Sequence, residues 1–282
     1  MRENETLQPY YVIISVDVER AHGVKYGLPK LLDLFMKHGI KATFFITGYI
    51  AERFPELIKA LLSEGHEVGC HSYMHENLVR LPATTKREII EKATEIISQL
   101  IGTTVSSFRA PYFKADTELM LVLESLGYKI DSSLANFYCG HLIPYHPAKD
   151  NWLCTGHLEE VRKILEIPIS IYPKQVCGRI NSKVFYGYVP FILRVMLYKK
   201  LDPFRKMIKT LNIFLKNMGY PGFLVMDMHP WELVRREEAL VLLNSFLEFL
   251  EEVFDVRYVT MSEFYSMWES NYCPIHACKG SL

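Results

Sequence analysis

The 282-residue chain has no surplus of either charge: 32 lysines and arginines balance 32 aspartates and glutamates. Nucleic-acid binders usually carry a basic excess, so the balance argues against that class of partner while leaving room for a local basic patch. Long apolar runs are missing too. The longest, Tyr188 to Tyr198, is interrupted by Arg194 and is too short to cross a bilayer. The opening residues Met1 to Thr6 contain Glu3 and Glu5 and no apolar stretch, which predicts no secretory signal and a cytoplasmic location. Cysteine is scarce and unpatterned. Cys70, Cys139, Cys154, Cys177, Cys273 and Cys278 show no framework spacing, so reduced thiols are expected rather than a disulfide scaffold. Cys273, His276 and Cys278 could bind a metal, but no second ligand cluster stands nearby, and a frayed tail is the simpler reading. With no linker, repeat or low-complexity stretch, a single domain over 1–282 is expected, with a core of about 10–262 and a tail over 270–282.

What is present is an ordinary globular composition, 49% apolar and 23% charged, laid out as alternating strands and helices. Extended runs are expected over Tyr10–Val18, Ala42–Thr47, Glu67–Cys70, Ser107–Arg109, Lys129–Ser132, Ile164–Ile171, Gly222–Asp227 and Val256–Thr260. Helical periodicity covers Pro29–His38, Pro55–Ser63, Thr85–Ile101, Asp116–Leu126, Phe191–Leu201, Phe204–Met218 and Arg236–Phe254, several of them stopped by a glycine. This cadence implies right-handed βαβ units on a parallel sheet, open or closed into a barrel. It breaks over Asn136–Glu160, an aromatic, proline-rich segment containing His141, His146 and His157, which reads as a lid or substrate loop.

His71 and His75 stand four apart after the third strand. Residues so spaced share one face of a helical turn, so both imidazoles could address one ion. A catalytic zinc usually takes three protein ligands, and carboxylates are available in Asp17 and Glu19, which share a side of the first strand. Five polar clusters fall at strand ends: Asp17/Glu19, His71/His75, Arg109 with Pro111 and Tyr112, Asp131 to Ser133, and His229 with Pro230. Each alone has a structural explanation, as a helix cap, an ion-pair donor or a turn residue. Their repetition at the C-terminal edge of a parallel sheet points to an active site.

The order of these motifs, with FRAPY around Arg109 and HSYMH around His71, resembles the polysaccharide deacetylases with the NodB-type domain, carbohydrate esterase family four. The resemblance runs from about Val12 to Thr260, and Asp131-Ser132-Ser133 and His229-Pro230-Trp231-Glu232 add to it. It implies an α/β fold, a distorted, incomplete (β/α) barrel of the NodB-type deacetylase kind, and metal-dependent removal of acetyl from an N-acetylated sugar. By position it implies His71 and His75 as metal ligands, Asp17 as general base, and Arg109 as the residue orienting Asp17. The backbone N–H of Tyr112, after Pro111, would hold the oxyanion. His229 would protonate the amine with Asp131 orienting it, and Trp231 would wall the acetyl pocket. The family commonly places two aspartates side by side in the first motif. Here Val18 intervenes, and Glu19 becomes the expected third ligand. If Glu19 points away, the site is weak or metal-free, as in allantoinase-like relatives.

The residue types suit the chemistry. A divalent ion, zinc first and cobalt, nickel or iron also compatible, would polarise an amide and acidify water. An aspartate can take the proton, and a histidine can return one to the departing amine. The expected substrate is an N-acetylated glycan or a lipid- or nucleotide-linked sugar, with aromatic residues of Phe137–Trp152 suited to sugar stacking or to plain packing. The segment Val189–Phe204 could rest on a membrane surface, or be a core helix with a charged end. Two other classes stay open: a cyclic amide or ureide hydrolase on this fold, and a non-catalytic sugar binder, for which retained acid, base and histidines would be superfluous.

Overall fold

The computed structural model describes residues 9–272, apart from 136–140, 156–159, 175, 181–182, 188–189 and 200. Its centre is the strand β1 (Tyr10–Val18), whose sequence YYVIISVDV is buried along almost its whole length. β-branched side chains on both faces suit a strand covered on both sides, the usual state of a parallel sheet. The next strands, β2 (Thr43–Ile46), β3 (Glu67–Cys70), β4 (Ser107–Phe108), β5 (Ile130–Asp131) and β6 (Leu165–Glu166), follow in chain order and pair in parallel. A separate antiparallel pair, β7 (Val176–Ile180) and β8 (Lys183–Gly187), lies in a stretch where no strand is expected from the sequence. The last two strands are β9 (Phe223–Met228) and β10 (Val256–Tyr258). β9 runs along β1 from Tyr11 to Val16, while β10 takes the start of β1 and β2 its end, so the latter two share the opposite edge.

The sheet curls until its far end returns to β9. Ser170, just beyond β6, donates its N–H to the Val225 carbonyl at 2.9 Å, and its hydroxyl accepts the Val225 N–H at 2.9 Å. A side-chain hydroxyl thus stands where a ladder carbonyl would be. The expected distorted, incomplete barrel is the fold observed. Helices pack outside it, with the helix Ala83–Ile101 closed by Gly102 in the left-handed conformation at φ 74°.

Most expected elements lie within a few residues of their predicted bounds, and the departures have local causes. Helices Ala21–Tyr26, Gly48–Arg53 and Pro230–Arg235 are each six residues long, too short to show periodicity. The expected core limit near 262 is too early. A further helix, Met261–Asn271, buries Phe264 and Trp268. Its start is marked by a capping box: the Thr260 hydroxyl accepts the Glu263 N–H while the Glu263 carboxylate accepts the Thr260 N–H.

Within the irregular segment, Tyr145, His146 and Trp152 are buried, and His141 stacks on Tyr145 at 4.2 Å. These side chains serve packing. Phe137, Tyr138 and His157 lie outside the described residues, as do Cys273, His276 and Cys278. No described helix is long and apolar enough to cross a membrane. Phe191, Leu193, Met196 and Phe204, the apolar part of the segment read as a possible membrane contact, are buried in the core.

The middle of the sheet leaves no room for a side chain at Gly69 in β3. A Cβ there would meet Phe45 Cδ1 at 2.7 Å and Ser107 Oγ at 2.7 Å. Gly69→Ala is expected to destabilise the fold by about 1–3 kcal/mol. An unchanged urea midpoint would contradict this packing.

Candidate active site

Alternation along β1 puts Ser15, Asp17 and the following Glu19 on one side. Across from them Arg109, at the end of β4, is fully buried and saturated with acceptors. Its Nη1 donates to Ser15 Oγ at 2.7 Å, Asp17 Oδ1 at 3.0 Å and Asp227 Oδ1 at 2.9 Å. Its Nε and Nη2 donate to the Ser132 carbonyl at 2.9 Å and hydroxyl at 2.8 Å. The expected pairing of Arg109 with Asp17 is therefore present, but two carboxyls share one guanidinium. Burial pushes Asp17 upward, yet the Arg109 charge beside it holds the carboxyl below the usual carboxylate range. Burial and the charge on Asp17 push Asp227 well above that range. The arrangement thus favours a charged Asp17 over a charged Asp227.

His71 and His75 do converge, though not on a helix. The stretch after β3 is a loop in which Ser72 and His75 adopt φ of 65° and 66°. Glu76 braces it: its carboxylate accepts from the Ser72 hydroxyl and from the Met74 N–H, the latter at 2.9 Å. Non-glycine residues in this conformation are strained, and such strain concentrates at functional sites. The two imidazole rings lie 5.1 Å apart.

His71 Nδ1 lies 2.8 Å from the Arg109 carbonyl, which fixes Nδ1 as the protonated nitrogen. Nε2 is then a bare lone pair, buried, without a hydrogen-bond partner, and 3.8 Å from Asp17 Oδ2. Burial lowers the His71 pKa to about 4 and keeps the ring neutral. Glu19 points into the site: its Oε2 contacts His75 Nε2. Burial opposes its charge, but the hydrogen bond from His75 brings its pKa down to about 2. One ligand atom each from Glu19, His71 and His75 fall within 4.8 Å of one another. A neutral imidazole with an orphaned nitrogen, a second imidazole and an ionised carboxylate form a donor set that fits a divalent cation.

His229 follows β9 and caps the helix Pro230–Arg235, its N–H donating to Glu232 Oε2 at 3.1 Å. Burial lowers its pKa below the ordinary imidazole value. Its Nδ1 is buried without a hydrogen-bond partner and lies 3.8 Å from Asp227 Oδ2. The carboxyl behind His229 is therefore Asp227, and the expectation that Asp131 orients it is corrected. Asp131 instead stands in register beside Glu166 on β6 and accepts from the Ser133 hydroxyl at 2.6 Å. Both carboxyls are fully buried, and burial raises both above the ordinary carboxylate value. Ser133 Oγ also accepts the Ala110 N–H at 2.8 Å, so this acid pair anchors the start of the Pro111 turn.

Tyr112, in the turn Pro111–Phe113, has φ 62° and an exposed ring 4.4 Å from that of His75. Its N–H has no acceptor among the described residues, as an oxyanion donor requires. Trp231, expected to wall the acetyl pocket, carries a polar contact that the sequence does not indicate. Its indole N–H donates to Glu19 Oε1 at 3.0 Å, which orients that carboxylate. The helix Ala21–Tyr26 meets the Pro230 helix without side chains at Gly23 and Gly27. A Cβ on Gly27 would lie 1.8 Å from the Pro230 carbonyl oxygen.

Sequence reasoning passed over Asp227, Ser15, Glu76 and Glu166 as site residues. Asp227 carried a signal: it precedes His229 by two at a strand end, the spacing of Asp17 and Glu19.

A polysaccharide deacetylase family model matches residues 9–130. This segment belongs to the polysaccharide deacetylase family. A peptidoglycan deacetylase of Helicobacter pylori is 27% identical over 254 residues, covering 84% of this chain and 82% of its own length. Two further curated relatives are matched over 30% and 47% of their length. Among solved structures, a Mycobacterium smegmatis protein provisionally assigned as a polysaccharide deacetylase superposes with TM-score 0.67 at 22% identity, covering 99% of this chain and 94% of its own. Puue allantoinase gives TM-score 0.69 at 16% identity, covering 93% and 91%. At such identities the structural likeness establishes the fold.

Raised carboxyls bind protons more tightly folded than unfolded, so the Asp131–Glu166 pair stabilises below the ordinary carboxylate pKa and loses that contribution as pH rises. Glu166→Gln keeps an acceptor for the Leu134 N–H and gives Asp131 a permanent donor. Its denaturation midpoint is expected to fall less than the wild type's as pH rises above the ordinary carboxylate range. Parallel pH curves would remove the pH-linked contribution of this pair.

Proposed function

We propose that the chain is a metal-dependent hydrolase that removes the acetyl group from an N-acetylated sugar. The observation that carries this reading is the convergence of Glu19, His71 and His75 beside an ionised Asp17 held by Arg109. Those three residues would hold the cation, zinc being the ion best suited to mixed imidazole and carboxylate donors. A bound ion would supply Lewis-acid polarisation at the site.

The chain's own residues account for the proton movements. Asp17 Oδ2, facing the site with Oδ1 tied to Arg109, accepts the proton of the attacking water. The free Tyr112 N–H stabilises the oxygen that gains charge, a donor worth on the order of 3 kcal/mol in comparable sites. His229, with a ring nitrogen within 4.8 Å of an Asp17 oxygen, delivers a proton to the departing amine, with Asp227 3.8 Å behind Nδ1. Water and amide are thereby converted to acetate and amine. The family of residues 9–130 and the names of the relatives, peptidoglycan and chitin deacetylases, support a glycan as the substrate class.

Acetate release from chitooligosaccharides and peptidoglycan fragments by the zinc-loaded protein tests the reading. Turnover of a cyclic ureide with none of the N-acetyl sugars would overturn it. Asp17→Asn is expected to lower kcat on the order of a thousandfold while the metal stays bound; full activity would remove Asp17 from its role. His71→Ala is expected to lose the metal, measured as bound zinc per chain, and unchanged stoichiometry would refute the ligand assignment.

A further inference from the structure

The chain is neutral overall, yet three arginines gather on one side chain at the rim of the site. The guanidinium carbons of Arg20, Arg235 and Arg194 lie 4.8, 4.9 and 6.0 Å from the centre of the Trp231 ring. That ring is the one whose N–H holds Glu19 at 3.0 Å, so the cluster borders the ligand set. The three come from separate elements: the N-cap of the helix Ala21–Tyr26, the helix Leu193–Lys199 and the helix Pro230–Arg235. Their convergence is a product of the fold rather than of a basic run in the sequence.

Charge pairing does not account for the gathering. Arg20 contacts Glu19 at 3.1 Å. Arg194 and Arg235 have no ion pair among the described residues, although the charge of Arg194 lowers the carboxyl of buried Glu232. Arg20, Arg194 and Arg235 are all exposed. Like charges on one indole repel each other, and stacking on the ring face offsets only part of that, on the order of 1 kcal/mol per exposed contact. An oxyanion between the guanidiniums would offset the rest, since their planar forks match phosphate and carboxylate.

We propose that Arg20, Arg194 and Arg235 form an anion subsite for a phosphate or carboxylate borne by the sugar whose acetamide lies at Asp17. The substrate is then an acidic N-acetyl sugar, such as a sugar diphosphate or a carboxylate-bearing amino sugar, rather than a neutral glucosamine polymer. The assignment rests on the hydrolase reading above and narrows its substrate class.

The test compares wild type with Arg194→Gln/Arg235→Gln, which leaves every proposed proton-transfer and ligand residue in place. Acetate release is followed on a neutral chitooligosaccharide, on a nucleotide-diphosphate N-acetylglucosamine and on an N-acetylmuramic acid glycan. The wild type is expected to favour at least one acidic substrate by roughly tenfold or more in kcat/KM at low salt, with the preference shrinking as salt is added. The double variant is expected to raise KM for that substrate roughly tenfold, with kcat and the neutral substrate unchanged. Which acidic substrate responds tells phosphate from carboxylate. Equal kcat/KM on neutral and acidic sugars, or the same loss on both, would reduce the cluster to ring stacking and overturn the subsite. If no sugar releases acetate, the hydrolase reading has failed and the subsite is judged on pyrophosphate binding by calorimetry. Binding weakened in the double variant would support the subsite, and binding equal or absent in both proteins would overturn it.

Discussion

A guanidinium with no access to water must find every one of its partners within the protein, and Arg109 does so by drawing four strands together. It touches Ser15 and Asp17 of β1, Asp227 of β9 and the Ser132 that follows β5, while its own backbone carbonyl sets the tautomer of His71 after β3. Removing one partner from such a buried pair leaves an uncompensated charge, which is why these contacts are mutually enforcing. The proton bookkeeping follows from the same geometry. One cation faces two carboxyls, and its charge holds Asp17 below the carboxylate range while burial and the charge on Asp17 push Asp227 well above it.

The ligand set is arranged around this node. Glu19 takes its direction from Trp231, His71 from the Arg109 carbonyl, and His75 from a loop strained at two residues and braced by Glu76. Glu19 and His71 are fixed by bonds from other elements, His75 by the shape of its own loop. The folded protein therefore presents the three donors together, which is the kind of preorganisation that a metal centre needs.

Much of this was legible in the sequence. The parallel α/β plan followed from apolar runs separated by amphipathic stretches, and the placement of Asp17, His71, Arg109 and His229 from their positions at strand ends. Glu19 facing the site followed from strand alternation alone. The rest depended on tertiary contacts that no local pattern encodes. HxxxH spacing suggests a helical turn, but the loop takes its shape from Glu76 and from left-handed backbone at Ser72 and His75. Asp131 sits at a strand end like the others, yet the register of β5 with β6 sets it against Glu166, and the acid behind His229 comes from β9. Trp231 reads as an apolar wall until its indole nitrogen is placed.

The contact between Gly27 and Pro230 sets a clearance within the catalytic apparatus. The short helix after Glu19 and the one that begins at His229 approach so closely that a single methyl group would strike the Pro230 carbonyl oxygen. The separation of the segments that carry Glu19 and His229 is thereby gauged by a missing side chain.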